Sequence, residues 1–239
     1  MRILIIGGFG FIGGRLAQYL HYSGNEVVLA SRNPRSSPEW LPIVKVVRIE
    51  WEDNAVLEKI CTGIDVIIHA AGMNARECEL DPVAALKFNG LATARLLMAS
   101  IESGVKRFIY LSSAHVYSSP LAGIISENNC PQNFHPYASS HLAGENVVIA
   151  ANQRGEIEGV VVRLSNVFGK PVHEDVNCWQ LLVNDLCLQA VNTGKIVLHT
   201  AGTQERDFIS MKGVVQILEQ LALCNSNALL ACVYNLGSG

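Results

Sequence analysis

Three glycines near the N-terminus, Gly7, Gly10 and Gly13, follow the apolar run Ile3–Ile6 at a G-x-x-G-x-x-G spacing and open a helical pattern. Glycine allows a tight turn and a close approach of the backbone to a ligand. The first turn of the helix adds free N–H donors and a positive dipole end. The spacing therefore predicts a turn that binds the pyrophosphate of a dinucleotide. A purely structural turn is the alternative interpretation.

The same cofactor site should include residues from later segments. The second apolar run ends in Ser31-Arg32 and offers no carboxylate to the ribose of a cofactor. Ser31 could hydrogen-bond a 2′-phosphate and Arg32 could pair with it, so the pattern favours NADP over NAD. Arg32 could instead be a solvated loop arginine. The further residues that we assign to the cofactor site are Phe11, Ile12, Glu50, Trp51, Ala70, Ala71 and Gly72.

The elements that must position these residues are short apolar runs alternating with helical patterns. Runs of this length are typical of parallel strands buried on both faces. They lie at Ile3–Ile6, Val27–Ala30, Val44–Ile49, Val66–Ala70, Phe108–Ser112 and Val160–Leu164. Helical spacing of apolar residues predicts helices at Gly13–His21, Ala55–Cys61, Pro82–Ser103 and Tyr137–Gln153. We therefore predict an α/β fold of the Rossmann type, with a doubly wound parallel sheet.

The alternation weakens after Gly169. The remaining segments predict helices at Asn177–Asn192 and Val214–Leu223 and strands at Lys195–Leu198 and Cys232–Leu236. We expect a dinucleotide-binding domain at 1–169 and a smaller substrate-binding portion at 170–239, interleaved with the main sheet and incomplete. The loops at Ser31–Pro42 and Ser118–Pro136 are rich in Pro, Ser and Asn and are expected to connect elements at the edge of the sheet.

Composition narrows the classes of partner. The 239 residues are 49% hydrophobic and 16% charged, with a formal net charge of −3, which argues against a surface for nucleic acid. The apolar runs are too short to span a bilayer, so no membrane partner is expected. Seven cysteines form an odd set without any C-x-x-C pair, and this predicts reduced thiols in the cytoplasm and no metal site.

Several motifs in chain order carry a family resemblance. Two of them are Leu111-Ser112-Ser113-Ala114-His115-Val116-Tyr117 and the helix-opening Tyr137-Ala138-Ser139-Ser140-His141-Leu142-Ala143-Gly144-Glu145. The others are the glycine turn, 65–72, Asn89, 163–169 and 204–209. Together they resemble the extended short-chain dehydrogenase/reductase family, the group of UDP-galactose 4-epimerase and related nucleotide-sugar enzymes. The resemblance covers nearly the whole chain.

The resemblance implies a catalytic role for Ser113, Tyr137 and His141. Tyr137 matches the tyrosine that exchanges a proton with the substrate while hydride moves to or from the nicotinamide, and Ser113 matches the residue that hydrogen-bonds the same oxygen. His141 replaces the lysine of the Y-x-x-x-K motif, which binds the nicotinamide ribose and lowers the tyrosine pKa. An imidazole with a pKa of about 6.5 is mostly neutral at pH 7 and would support a tyrosinate less well.

The resemblance also implies a nucleotide-sugar substrate contacted by Asn166 and Arg206, although Arg206 could instead pair with a neighbouring carboxylate. Ala114 and His115 occupy the positions where dehydratases of the family carry an acidic pair. This disfavours dehydration and leaves 4-epimerisation or the reduction of a keto-sugar. The alternative is a catalytically weak or inactive NADP(H)-binding sensor. A homodimer is expected from the family's helix pairing. Relatives continue beyond the position of Gly239, so we expect either a truncated chain or an open pocket.

Overall fold

A computed structural model describes residues 1–118, 120–198 and 201–238 of the chain. Ser119, within the predicted loop Ser118–Pro136, and the last residue, Gly239, lie outside the described residues, as do residues 199 and 200.

A seven-stranded parallel sheet of order β3-β2-β1-β4-β5-β6-β9 forms the centre of the molecule. A second, two-stranded parallel sheet pairs β7 with β8. The strands are β1 (Arg2–Ile6), β2 (Glu26–Ser31), β3 (Lys45–Arg48), β4 (Val66–His69), β5 (Arg107–Ser113), β6 (Glu158–Leu164), β7 (Asn166–Phe168), β8 (Phe208–Ser210) and β9 (Val233–Leu236). The predicted doubly wound α/β fold is confirmed.

Helices cover both faces of the large sheet. They are α1 (Phe11–Tyr22), α2 (Asn54–Cys61), α3 (Ala75–Leu80), α4 (Pro82–Ala85), α5 (Thr93–Glu102), α6 (Pro136–Gln153), α7 (Leu182–Thr193) and α8 (Met211–Leu223). The segment Pro82–Ser103, which the sequence predicts as one helix, is interrupted. A π-helical segment at Leu86–Ala92 separates α4 from α5, and α5 ends at Glu102. None of the described helices is long and apolar enough to cross a membrane.

The two core layers follow from the alternation of side chains along each strand. Ile3 and Ile5 of β1 belong to the layer that includes Leu16 of α1 and Leu218 of α8. Leu4 and Ile6 of the same strand point to the opposite face, into the layer that α2 and α5 cover. All residues of β5 are buried, because both faces of this central strand are covered. Apolar strands of this kind bury their whole surface between helices.

The segment after Gly169 differs from the sequence prediction in two places. The predicted strand at Lys195–Leu198 is wrong, since these four residues are exposed and form no strand. The Val197 N–H donates to the Gln189 side chain at 2.8 Å rather than to a neighbouring strand. The helix predicted at Asn177–Asn192 begins only at Leu182, after a turn. The sequence analysis did not predict α3 or the small sheet of β7 and β8.

Candidate functional site

The glycine turn joins β1 to α1 and allows three backbone segments to approach closely. A Cβ on Gly7, whose φ is +83°, would lie 2.7 Å from the Ala71 nitrogen and 2.8 Å from the Ala70 carbonyl oxygen. A Cβ on Gly13 would lie 2.3 Å from the Gly7 oxygen. The Gly10 N–H donates to the Gly7 carbonyl at 2.9 Å and closes the turn. These positions leave no room for a side chain, so the turn presents bare backbone at the first turn of α1.

A cleft of about 350 Å³ opens beside this turn at the carboxyl ends of β1, β2 and β4. Ligands of open α/β sheets bind in this position. The lining residues are Ile6, Gly7, Phe9, Gly10, Ala30, Ser31, Arg32, Asn33, Arg35, Ile49, Trp51, Ala70, Ala71, Gly72 and Phe88. Of the predicted cofactor residues, Phe11, Ile12 and Gly13 lie just beyond this lining, at the start of α1.

The end of the cleft beyond β2 is cationic. The Arg32 guanidinium lies 5.6 Å from the centre of the Phe88 ring, and that of Arg35 lies 4.6 Å from the centre of the Phe9 ring. The described lining residues include no carboxylate. The Ser31 hydroxyl donates to the Asn33 carbonyl at 2.8 Å. Two arginines oriented by aromatic rings can bind an anionic group here.

Glu50 and Trp51 occupy different environments. The Glu50 carboxylate lies 2.5 Å from Nη2 of Arg48 and lines a separate cavity beside α2 rather than the glycine-turn cleft. Trp51 lines the cleft, and its indole packs edge-on against the Phe88 ring with the ring centres 5.5 Å apart. The structure therefore brings the Trp51 side chain, and not that of Glu50, to the predicted cofactor site.

Ser113 and Tyr137 meet where β5 ends and α6 begins. Pro136 is the first residue of α6, and Nδ1 of His135 accepts a hydrogen bond from the Tyr137 N–H at 3.1 Å, which caps the helix. Burial raises the pKa of the Tyr137 phenol, and a hydrogen bond with the Ser113 side chain partly offsets this increase. The phenol is therefore protonated near neutral pH.

His141 lies one helical turn after Tyr137 and is buried. Its ring packs edge-on against that of Tyr137, with the ring centres 4.5 Å apart. Burial lowers the pKa of His141 to about 4, so the imidazole is uncharged at neutral pH. The Cε1–Nε2 edge of the ring lies beside Gly72, where a Cβ would lie 3.3 Å from Cε1 and 3.5 Å from Nε2 of His141. His141 thus contacts both Tyr137 and a segment that lines the cleft.

A buried ion pair between Glu145 of α6 and Arg163 of β6 holds α6 against the sheet. Glu145, fully buried, accepts hydrogen bonds from Arg163 of β6, the shortest at 2.6 Å, and from the Ser112 hydroxyl at 2.5 Å. Arg163 also donates to the Tyr117 hydroxyl at 2.7 Å. The network couples α6, which carries Tyr137, to β5 and β6 beside Ser113.

The predicted substrate contacts lie on the small sheet and the preceding loop. The Asn166 amide donates to the Asp207 carbonyl at 2.9 Å, so one of its donors is already engaged within the fold. Arg206 is exposed and donates to the Gln204 side chain at 2.9 Å. Burial and, secondarily, the charge of Arg206 lower the pKa of His115. Among the described residues, no group of three or more His, Cys, Asp or Glu could hold a metal ion.

Sequence reasoning missed four residues of this region: Phe9, Arg35, Phe88 and Tyr110. Arg35 follows Arg32 by three residues in the same loop, and this spacing is a signal that could have identified it. Phe88 and Tyr110 gave no local signal, because helix packing alone brings them to the site.

A glycine turn between β1 and α1, combined with a Ser–Tyr–His group where β5 ends and α6 begins, is typical of dinucleotide-binding α/β proteins of the dehydrogenase type. The chain belongs to the NAD dependent epimerase/dehydratase family, whose model matches residues 3–237. The resemblance predicted from the motifs is confirmed.

Named relatives agree with this membership. The chain is 27% identical over 229 residues to the dTDP-D-glucose 4,6-dehydratase of Mus musculus. This alignment covers 90% of this chain and 62% of the mouse protein. It is 25% identical to the UDP-glucose 4-epimerase of Lactobacillus helveticus, with 100% of this chain and 77% of that enzyme covered. A solved structure of MoeE5 with UDP-glucuronic acid and NAD superposes with a TM-score of 0.84 at 29% identity and covers 100% of this chain and 77% of that one. The chain thus spans 62% of the mouse relative's length.

Proposed function

We propose that this chain binds a nicotinamide dinucleotide in the glycine-turn cleft and acts on a nucleotide sugar, oxidising or reducing one sugar carbon. The observation that carries the proposal is a chain of contacts that ends beside the cleft. Ser113 hydrogen-bonds Tyr137, the Tyr137 ring packs against His141, and His141 lies next to Gly72, which lines the cleft. The named relatives that act on nucleotide sugars support the substrate class.

The residues present fit a dinucleotide, because Gly7 and Gly13 let the turn pack closely on neighbouring backbone without side chains, which leaves the N–H groups at the start of α1 available to a phosphate. A bound nicotinamide supplies hydride acceptance or donation. Tyr137 gives a proton to, or takes one from, the oxygen on the reacting carbon, and Ser113 donates a hydrogen bond to the same oxygen. We propose 4-epimerisation or keto-sugar reduction rather than dehydration, since Ala114 cannot exchange a proton.

We further propose that NADP is the preferred cofactor. Arg32 and Arg35 place two positive charges at the end of the cleft where β2 terminates, and Ser31 adds a hydroxyl. A 2′-phosphate would find charged donors here, whereas an unmodified ribose would find no carboxylate among the described lining residues. The NAD bound to MoeE5 makes NAD the competing cofactor to test.

We propose a cytoplasmic homodimer as the working form. The seven free thiols suit a reducing compartment. Val83, Leu91 and Met98 are about half exposed or more and follow one another at steps of eight and seven residues along the helical segments at 82–102, near α6. Light scattering coupled to size-exclusion chromatography should give about twice the mass of one chain, and Leu91→Arg should give a monomer.

A catalytically weak or inactive NADP(H) sensor is the second candidate. The neutral His141 favours it, because an uncharged imidazole gives a tyrosinate little electrostatic support. Both candidates predict binding of the dinucleotide, and only the first predicts turnover.

Hydride transfer separates the two candidates. We would follow reduced-nicotinamide absorbance in the full chain with a panel of nucleotide sugars and keto-sugars. A coupled assay would detect epimerisation, which leaves the net absorbance unchanged. Tyr137→Phe should reduce turnover by roughly 100-fold or more while leaving dinucleotide affinity nearly unchanged. Tight binding without turnover on any substrate would establish the sensor, and the absence of binding would exclude both.

A further inference from the structure

His141 and Tyr110 form a buried pair beneath the cofactor cleft. Oη of Tyr110, on β5, lies 3.0 Å from Nδ1 of His141, on α6, and both side chains are buried. A neutral imidazole carries its single proton on one of its two nitrogens, and the hydrogen bond at one nitrogen decides where the proton resides. The direction of the bond between Tyr110 and His141 therefore sets what the other ring nitrogen can do.

Besides the Thr93 hydroxyl, which also hydrogen-bonds Tyr110, a competing acceptor for the Tyr110 proton is the carbonyl of Asn89. It lies 3.4 Å from the Tyr110 hydroxyl, outside the usual range for an O–H donor, and it already accepts the Thr93 hydroxyl at 2.7 Å. The Tyr110 proton consequently makes its better hydrogen bond to Nδ1 of His141. With Nδ1 accepting, the imidazole proton resides on Nε2.

The Cε1–Nε2 edge of His141 lies beside Gly72. A Cβ on Gly72 would lie 3.3 Å from Cε1 and 3.5 Å from Nε2, and Gly72 lines the cofactor cleft. The absence of a side chain at Gly72 lets this edge pack against the backbone of a residue that lines the cleft.

The ionisable groups around the ring leave it neutral. Tyr137, one turn earlier on α6, is protonated, and Glu145, one turn later, is engaged by Arg163. His69 of β4 has a pKa lowered to about 3 by burial, and burial also raises the pKa of the Cys78 thiol on α3. Among the residues that the structure describes, none thus offers His141 a free carboxylate that would hold a second proton on its ring.

We propose that Tyr110 is a positioning residue that holds His141 in the Nε2–H tautomer, so that a neutral imidazole donates a hydrogen bond to an oxygen of the dinucleotide. This inference rests on the proposed binding of a dinucleotide in the cleft. A hydrogen bond from an uncharged donor holds the cofactor without adding positive charge beside Tyr137. Affinity for the dinucleotide should therefore stay constant between about pH 6 and pH 8, where a histidine of ordinary pKa would titrate.

The tautomer can be measured directly by nitrogen NMR of the full chain labelled with ¹⁵N-histidine, with the His141 signals identified by their loss in His141→Phe. We expect a protonated Nε2 and an unprotonated Nδ1 from pH 6 to pH 8. Tyr110→Phe should shift the population toward the Nδ1–H form. The matched control, Tyr117→Phe, removes a buried hydroxyl that bonds Arg163 and should leave the His141 signals unchanged. An Nδ1–H tautomer in the wild-type protein would overturn the proposal.

Binding tests the second half of the inference. Tyr110→Phe and His141→Phe should each raise the dissociation constant for NADP⁺ or NAD⁺ by about tenfold, which is the effect expected from the loss of one hydrogen bond. If the wild-type chain binds neither dinucleotide, the proposed function fails while the NMR result still decides the tautomer. If binding is normal and the Nε2 signal does not move when the dinucleotide is added, the hydrogen bond to the cofactor is refuted. Once the His141 signals are assigned, this titration uses only wild-type protein and remains decisive where Tyr110→Phe does not fold.

Discussion

Arg32 and Arg35 show how single side chains can decide cofactor choice. Both project from the loop after β2 and stack on aromatic rings, Phe88 and Phe9, that come from separate parts of the chain. Stacking orients a guanidinium and leaves its N–H donors available to an anion. Charge at this position is therefore the variable that should discriminate between a 2′-phosphate and a 2′-hydroxyl.

Reversal of one charge gives the residue-scale prediction. Arg32→Glu should weaken NADP⁺ binding by about 10- to 100-fold, because a charge-assisted hydrogen bond is lost and a repulsion is added. NAD⁺ binding should be unchanged or tighter, since a carboxylate can accept from the ribose hydroxyls. Calorimetric titration with both dinucleotides measures the ratio. Arg154→Glu, at an exposed turn after α6, is the control. Equal weakening of both cofactors would refute the phosphate contact.

Helix α6 carries the catalytic candidates, and its distance from the π-helical segment and β5 depends on one glycine. A Cβ on Gly144 would lie 2.7 Å from the Asn89 carbonyl oxygen and 2.7 Å from Cζ of Tyr110. Neither neighbour can move freely, because one is backbone and the other is a buried ring. The close approach at Gly144 keeps Tyr110 within hydrogen-bonding distance of His141.

The element-scale prediction compares two helical glycines. Gly144→Ala should lower the free energy of unfolding by about 1–3 kcal/mol through overpacking. Gly213→Ala in α8 places its Cβ 3.5 Å from Oγ of Ser210, an ordinary contact, and should be neutral or stabilising by up to about 1 kcal/mol. Urea unfolding followed by circular dichroism measures both. Equal effects of the two substitutions would show that α6 tolerates a wider spacing.

The stability of the whole molecule should depend on two histidines that are buried in the neutral form. Burial lowers the pKa of His69 to about 3 and that of His141 to about 4, from an ordinary value of 6.5. Between the lowered pKa of each buried histidine and 6.5, the unfolded chain binds more protons than the folded chain. Stability therefore falls as the pH decreases below about 6.5, and it is fully present above that value.

The free energy of unfolding should decrease by roughly 2 kcal/mol per histidine between pH 7.5 and pH 5. This value follows from a slope of about 1.4 kcal/mol per pH unit below pH 6.5. The melting temperature of the apoprotein should decrease over this range. His69→Gln should make the decrease smaller, whereas His173→Gln should not, since the His173 side chain is 45% exposed. A pH dependence that is identical in His69→Gln and the wild-type protein would contradict the buried neutral state.

The sequence by itself determined the glycine turn, the strands of the large sheet, most of the helices that cover it and the family motifs. These features are local: a strand needs a short apolar run, a helix needs apolar residues at its own period, and a phosphate turn needs three glycines at fixed spacing. The motif residues Ser113 and Tyr137 could be identified because each lies at a recognisable strand end or helix start.

The tertiary structure alone decided which side chains meet. The strand predicted at Lys195–Leu198 does not form, because this apolar run pairs with no strand in the part of the chain that the structure describes. Glu50 turns to Arg48 and away from the cleft. Tyr110 reaches His141 across 31 positions of the chain only because Gly144 lets α6 pack closely on β5. Contacts between residues distant in sequence depend on the packing of whole elements, and no local pattern records them.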